Sequence, residues 1–359
     1  MAWAITRKHH EGCNPLDANE TFRIGRRFMR FPPMIEWTRR SFLKWAGATS
    51  GMADHSALRP SRTERRNRDL ARAAPIVDTH MHVWSNDLAR FPFSHPYKPD
   101  FKPPPIAGTA EMLLQEMDQF GIDFAVLVQP IYLGWDNTYV AECAKTWPRR
   151  FRAHGLIDPV DPDRASKLEY WMRRHRLSGM RFSPIYYEGR EDWLDSEASL
   201  PLWRKAEELG AIFNFFIATH QLPRLEKTIR RFPRVSVVID HLARVDLRRP
   251  DAATEFAKLL RLASYPNVWA KISELQFISV SAEYPFRDTF PLVRRLYDAF
   301  GPDRLLWGTG FPGAARAQDR RLPLEKELKL IREEIPFLTD EDRAKILGVN
   351  AVRLWKFKT

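Results

Sequence analysis

Two histidines separated by a single residue stand in the run Asp78-Thr79-His80-Met81-His82. Alternate side chains of a β-strand point to the same face, so Asp78, His80 and His82 would share one face. Two imidazoles at this spacing can bind one metal ion, with metal–nitrogen distances of about 2.0–2.1 Å. The run therefore predicts a metal centre at the end of a strand, and two unrelated surface histidines are the alternative.

Two more histidines follow apolar runs further along the chain. His220 comes after the run 211–218, and His241 ends the run 235–240. His241 has the parity of Val237 and Ile239, which predicts that it faces the interior. We expect His220 to be a third metal ligand and His241 to be a polar group beside the metal. A loop or helix-cap position is the alternative for His220.

These side chains can meet only if the chain brings several strand ends together. From Pro75 onward, short β-branched or aromatic runs alternate with stretches of helical spacing. The predicted strands are Pro75–His82, Phe124–Gln129, Phe151–Ile157, Ser178–Ser183, Ala211–Ala218, Val235–His241, Asn267–Glu274 and Leu305–Phe311.

Eight strand–helix units in this length predict a (β/α)₈ TIM barrel over residues 75–359. The rival fold, a doubly wound open sheet, usually has a glycine-rich phosphate turn after its first strand, and no such turn follows His82. The proline-rich segment Ser85–Pro105 comes after the first strand, where the active-site loops of barrels lie. We expect it to cover the mouth of the barrel, with a simple linker as the alternative.

Several of these motifs together resemble the amidohydrolase-related, metal-dependent hydrolase family of the amidohydrolase superfamily, nearest its lactonase-like branch. The resemblance covers roughly residues 75–356. The stretches that carry it include Ile76–Trp84, Gly179–Phe182, Val238–Leu242, Asn267–Ser273 and Arg304–Thr309.

The resemblance implies hydrolysis of a lactone or related cyclic ester of a small carboxylate or sugar acid, with one divalent ion, zinc or manganese, held by His80, His82 and His220. Such an ion lowers the pKa of a bound water towards neutrality. His241 would contact the attacking water or the substrate carbonyl, and Arg181 would bind a substrate carboxylate through its planar donor pair.

The family's pattern fails at one position. Strand eight usually ends in Gly-Ser/Thr-Asp, whose aspartate binds metal and acts as the base, but here Gly310 follows Thr309. Glu274 could supply the missing carboxylate, or His241 could be the base on a weakly held or absent metal. The third explanation is a catalytically silent, ligand-binding barrel. A metal-dependent decarboxylase of the same superfamily is a further alternative.

Gln129 and Trp84, at or just after strand ends, are candidate substrate-binding residues. We expect the chain to bind a small-molecule substrate. Nucleic acid is not expected as a partner, because the body of the chain has no nucleic-acid motif or basic stripe. No apolar run is long enough to span a membrane. A homo-oligomer is left open.

The net positive charge is concentrated at the start of the chain. Of 57 basic and 45 acidic residues, 15 and 7 lie in residues 1–74. The stretch Thr38–Lys44 resembles a twin-arginine export signal, which predicts contact with the twin-arginine translocase and a periplasmic protein, but the apolar segment after it is weak. A basic, poorly ordered tail on a cytoplasmic protein is the alternative, and Met34 is an alternative start to Met1.

Overall fold

The computed structural model describes residues 74–102, 104–318 and 321–358. Eight strands form one sheet in the order of the chain, and each neighbouring pair is parallel. They are β1 Val77–Met81, β2 Phe124–Val128, β3 Phe151–Gly155, β4 Gly179–Phe182, β5 Ile212–Phe215, β6 Ser236–Ile239, β7 Val268–Ile272 and β8 Leu305–Trp307. A parallel bridge joins Met81 to Gly310, and the His82 amide donates to the Gly310 carbonyl at 2.7 Å. The sheet therefore closes, and the predicted (β/α)₈ barrel is confirmed.

Helices lie between and after the strands. In chain order they are α1 Ala110–Phe120, α2 Thr138–Thr146, α3 Arg164–His175, α4 Leu200–Leu209, α5 Leu222–Arg231, α6 Ala252–Arg261, α7 Leu275–Ile278, α8 Phe290–Phe300, α9 Ala315–Gln318, α10 Leu324–Lys329, α11 Asp340–Ala344 and α12 Asn350–Trp355. Within the described residues, none of them has the length and apolar character needed to cross a bilayer.

The ends of α1 follow from local sequence. The Thr109 hydroxyl accepts a hydrogen bond from the Met112 amide, which satisfies one free donor of the first turn. The helix ends where Gly121 takes a left-handed φ of 67°. This is the stop that the sequence predicts.

The strands are shorter than predicted at their carboxyl ends. The eighth was expected to reach Phe311 but ends at Trp307. The chain leaves the regular ladder after Trp307, and Gly310, which still bridges to Met81, has a φ of +127°, a backbone conformation that side-chain-bearing residues rarely adopt. The strand ends are the catalytic end of such a barrel, so these departures shape the site rather than the core.

The predicted leader, residues 1–74, lies outside the described residues except for its last position, and so does the stretch Thr38–Lys44. The segment after β1 is described apart from residue 103. Its residues His95, Lys98 and Phe101 line the cavity at the barrel mouth, as expected of a covering loop.

Candidate active site

A cavity of about 680 Å³ opens at the carboxyl ends of the strands. Side chains of the barrel and of the covering loop form its wall together. The charged, histidine and aromatic residues lining it are His82, Trp84, His95, Lys98, Phe101, Lys102, Tyr132, Arg181, Tyr186, Phe216, His241, Arg244, Glu274, Phe277, Phe311 and Arg321.

A buried lysine lies beneath the two histidines of the first strand. The Lys271 ammonium on β7 has no solvent exposure. It contacts the Thr79 carbonyl at 2.8 Å, the Asp240 carboxylate at 3.0 Å and the His80 Nδ1 at 3.2 Å. These are three acceptors for its three N–H groups, so the ammonium is fully partnered.

This lysine favours one tautomer of His80. An ammonium only donates, so this contact favours the His80 tautomer that accepts at Nδ1 and carries its proton on Nε2, although Nδ1 also lies 3.6 Å from the Asp240 carboxylate. Nε2 of His80 is 3.2 Å from Nε2 of His82, whose Nδ1 lies 2.7 Å from the Val128 carbonyl and donates to it. Burial, reinforced by nearby Arg181, lowers the pKa of His82 to about 3. Both imidazoles are therefore neutral at physiological pH.

Asp240, at the end of β6, is the anion of this interior. One carboxylate oxygen faces Lys271 at 3.0 Å and the Asn214 amide at 3.5 Å, and the other accepts from Arg181 Nε at 3.1 Å. Burial alone would raise the pKa of Asp240, but Lys271 and Arg181 hold it well below its usual value. The carboxylate stays ionised.

His241 follows Asp240 and reaches the cavity. It lies in a turn whose residues 241–244 all have φ near 50°. Its Nδ1 is 2.8 Å from the Ser273 hydroxyl, and its Nε2 is 3.5 Å from the Glu274 carboxylate. Burial lowers the pKa of His241 to about 3, even though Glu274 and Asp240 favour its charged form. It is neutral, and Glu274 lies close enough to stabilise the imidazolium that would form if His241 took a proton from water.

Glu274 is the acidic residue of the cavity wall. Its carboxylate is 2.7 Å from Arg244 and 2.7 Å from Arg321. Burial would raise the pKa of Glu274, but Arg321, His241 and Arg244 keep it below its usual range. It remains an anion, able to stabilise a positive charge on His241.

Arg321 fills the space beside Gly310. An added Cβ on Gly310 would lie 2.5 Å from Nη1 of Arg321, so the guanidinium would have to move to make room for it. The guanidinium donates to the Thr309 carbonyl at 2.8 Å, lies over the Phe311 ring at 4.7 Å, and its side chain is only 7% exposed. A cation therefore stands where the family usually has an aspartate.

The structure brings together most of the predicted site residues. His82, Trp84, Arg181, His241 and Glu274 line the cavity. His80 is fully buried directly behind His82, with the two Nε2 atoms 3.2 Å apart.

The prediction for His220 is wrong. This residue is exposed in a short 3₁₀ turn, Thr219–Gln221, and its side chain does not enter the interior. The inward positions at the end of β5 are instead Asn214, which is fully buried, and Phe216, which lines the cavity. The strand ends at Phe215, three residues before the sequence suggested, so His220 lies beyond it in a turn and not at the strand end.

Gln129 is placed differently from the expectation. It is fully buried, and its amide donates to the carbonyls of Gly134 and Asp136 at 3.4 and 2.7 Å. It stabilises the turn after β2 and is not among the described residues that line the cavity.

Sequence reasoning missed Lys271, Asp240 and Arg321. A lysine inside the otherwise apolar strand Val268–Ile272 was the available signal for the first of them. Arg321 had no such signal, because it lies in a connection 14 residues after β8 ends at Trp307.

The spacing of several donors could hold a metal. The ligand atoms of His80, Asp240 and His241 all lie within 4.8 Å of one another. The 3.2 Å between the Nε2 atoms of His80 and His82 is also near the ligand–ligand edge of about 3.3 Å for a tetrahedral ion with bonds of 2.0–2.1 Å.

The chemistry of the same donors does not fit a divalent ion. Lys271 contacts both His80 and Asp240, so an ion there would lie beside a buried ammonium. In the tautomer that the Lys271 contact favours, Nε2 of His80 carries a proton, whereas a metal-binding nitrogen must be free of one. Two of the remaining ligands that the family resemblance implies, a strand-five histidine and a strand-eight aspartate, are replaced by other groups.

Comparison with known proteins supports this picture of the fold. The family model described as amidohydrolase matches residues 77–357. A curated relative, 4-sulfomuconolactone hydrolase from Rhizobium radiobacter, is 29% identical over 316 residues, which is 84% of this chain and 98% of that protein.

Two solved structures share the barrel. One is a probable 2-pyrone-4,6-dicarboxylic acid hydrolase from Acinetobacter baumannii with citric acid bound, with a TM-score of 0.64, 21% identity, and coverage of 79% of this chain and 99% of that one. The other is an amidohydrolase from Burkholderia multivorans with bound zinc, with a TM-score of 0.62, 22% identity, and coverage of 79% and 100%.

Proposed function

The chain belongs to the amidohydrolase family, and from that premise we propose that it is a hydrolase that opens a small, negatively charged lactone. The observation that carries the proposal is the neutral His241, 3.5 Å from an ionised Glu274 at the wall of a closed-barrel cavity. The curated relative in this family is a lactone hydrolase, which supports the same reaction class.

The charge of the wall supports an anionic substrate. Among the described residues, the cavity is lined by Lys98, Lys102, Arg181, Arg244 and Arg321, with Glu274 as the single acidic side chain. A cleft lined by one sign of charge raises the local concentration of ligands of the opposite sign. A lactone with one or more carboxylate or sulfonate groups fits this wall better than a neutral sugar lactone.

The reaction can be written with this chain's own groups. His241 takes a proton from a water whose oxygen attacks the lactone carbonyl carbon, and Glu274 stabilises the imidazolium that forms. As the ring C–O bond breaks, the proton passes to the leaving oxygen, and a hydroxy acid results. The arginines of the wall stabilise the negative charge that develops on the carbonyl oxygen. Each step of this scheme uses only groups of the chain and water.

The test is hydrolysis of a panel of carboxylated and sulfonated lactones, followed as acid release. We expect His241→Asn to reduce kcat/KM by about 10²–10⁴-fold, the usual contribution of a general base. His220→Asn is the matched control, because His220 is exposed and away from the cavity, and it should retain wild-type rates. Release of carbon dioxide would favour a decarboxylase, and binding without turnover would favour a silent barrel.

A further inference from the structure

We propose that this site has exchanged its family's divalent ion for two basic side chains of its own, Lys271 and Arg321, and that it operates without bound metal. The inference rests on the proposed function only where it assigns these side chains a part in lactone hydrolysis. The arrangement of donors and cations carries the rest.

Lys271 contacts two of the possible metal ligands, His80 and Asp240, from the interior of the barrel. Its contacts with Thr79, Asp240 and His80 use all three N–H groups, at 2.8, 3.0 and 3.2 Å. A divalent ion on the same two side chains would lie within a few ångströms of this ammonium, in an interior where charge repulsion is poorly screened.

Arg321 occupies the opposite side of the site. A Cβ at residue 310 would come within 2.5 Å of Nη1 and 2.6 Å of Cζ of Arg321, so the guanidinium can hold this position only while residue 310 lacks a side chain. A carboxylate on residue 310 would displace the guanidinium from its present place. Where an aspartate would add a negative charge and a metal ligand, this chain has a buried positive charge ion-paired to Glu274 at 2.7 Å.

Lys271 and Arg321 each take over one role that a metal ion has in such a site. Lys271 holds His80 and Asp240 in position, as a metal would hold its ligands, and is a positioning residue. Arg321 supplies fixed positive charge at the cavity wall, where an ion would stabilise the developing oxyanion. Both charges are part of the chain, so the site needs no metal loading.

The experiment measures metal content rather than activity alone. The full chain is produced in medium supplemented with zinc and manganese, and its metal content is measured by mass spectrometry before and after dialysis against a chelator. Zinc affinity is then measured by competition with a chromophoric chelator for three proteins: wild type, the triple variant Lys271→Met/Gly310→Asp/Arg321→Gln, and Lys227→Met. The last is a matched control at a lysine whose side chain is 64% exposed.

We expect only trace metal in the wild type, unchanged turnover after chelation, and zinc binding at least about tenfold tighter in the triple variant, since two positive charges have left the donors and one carboxylate has joined them. Lys227→Met should match the wild type. Near-equimolar zinc or manganese in the wild type, or turnover lost on chelation and restored by the ion, would overturn the proposal. If the triple variant does not fold, the wild-type metal content decides. A metal-free protein that hydrolyses no lactone would refute the proposed function and leave this inference standing.

Discussion

Replacing His154 with glutamine tests whether burial in the barrel interior lowers the pKa of an imidazole that does not line the cavity. His154 lies on β3, is fully buried, and its Nε2 accepts a hydrogen bond from the Trp355 indole at 2.7 Å. Burial, with Lys271 nearby, lowers the pKa of His154 to about 3. A glutamine carbonyl can accept the same indole proton, so the variant removes the titration while it retains an acceptor.

The size of the effect follows from proton linkage. The unfolded chain binds a proton on His154 below about pH 6.5, but the native protein does so only below about pH 3. The unfolded state therefore holds the extra proton between these values, and native stability falls as the pH decreases through this range. One unit of pH is worth about 1.4 kcal/mol, so moving from pH 6.5 to about pH 5 costs the native state about 2 kcal/mol through this residue.

Urea unfolding at about pH 7.5 and about pH 5, followed by tryptophan fluorescence, measures this cost in wild type and variant. We expect His154→Gln to be the less stable protein at the higher pH, because the substitution disturbs a packed interior. Its deficit should shrink by about 2 kcal/mol at the lower pH, where only the wild type pays the linkage cost. A deficit that does not change with pH would show that native His154 titrates normally, and the burial argument would be refuted.

Three further predictions concern the cavity. Because burial lowers the pKa of His241 to about 3, its neutral form is complete above about pH 5, so kcat/KM should be flat from there to neutrality; an inflection near pH 6.5 would contradict this. Glu274→Gln removes the anion between Arg244 and Arg321 and should destabilise the fold by about 3–5 kcal/mol as well as reduce kcat, measured by urea unfolding and steady-state rates; an unchanged unfolding midpoint would count against a buried ion pair. Arg181→Lys keeps the charge but loses the planar donor pair, and should raise KM about tenfold with a smaller change in kcat; an unchanged KM would remove Arg181 from substrate binding.

Local sequence patterns were enough for the parts of the site that depend on strand parity. Alternation places His80 and His82 on one face of β1, and the two Nε2 atoms do lie 3.2 Å apart. His241 also lines the cavity, but it lies in a turn two residues past the end of β6 at Ile239, where alternation no longer applies. His220 was expected at the mouth because it follows an apolar run, but β5 ends at Phe215 and His220 is exposed in the turn after it.

The alternation of strands and helices, the His-x-His pair and the glycine at position 310 were determined by the sequence alone, because each depends on neighbours within a few residues. What stands in the space beside Gly310 was decided only by the tertiary structure. Arg321 reaches that space from a connection that leaves the barrel and returns, and Lys271 meets His80 across 191 positions of chain. Such contacts depend on where distant segments pack, and the sign of the charge at the centre of this site depends on them.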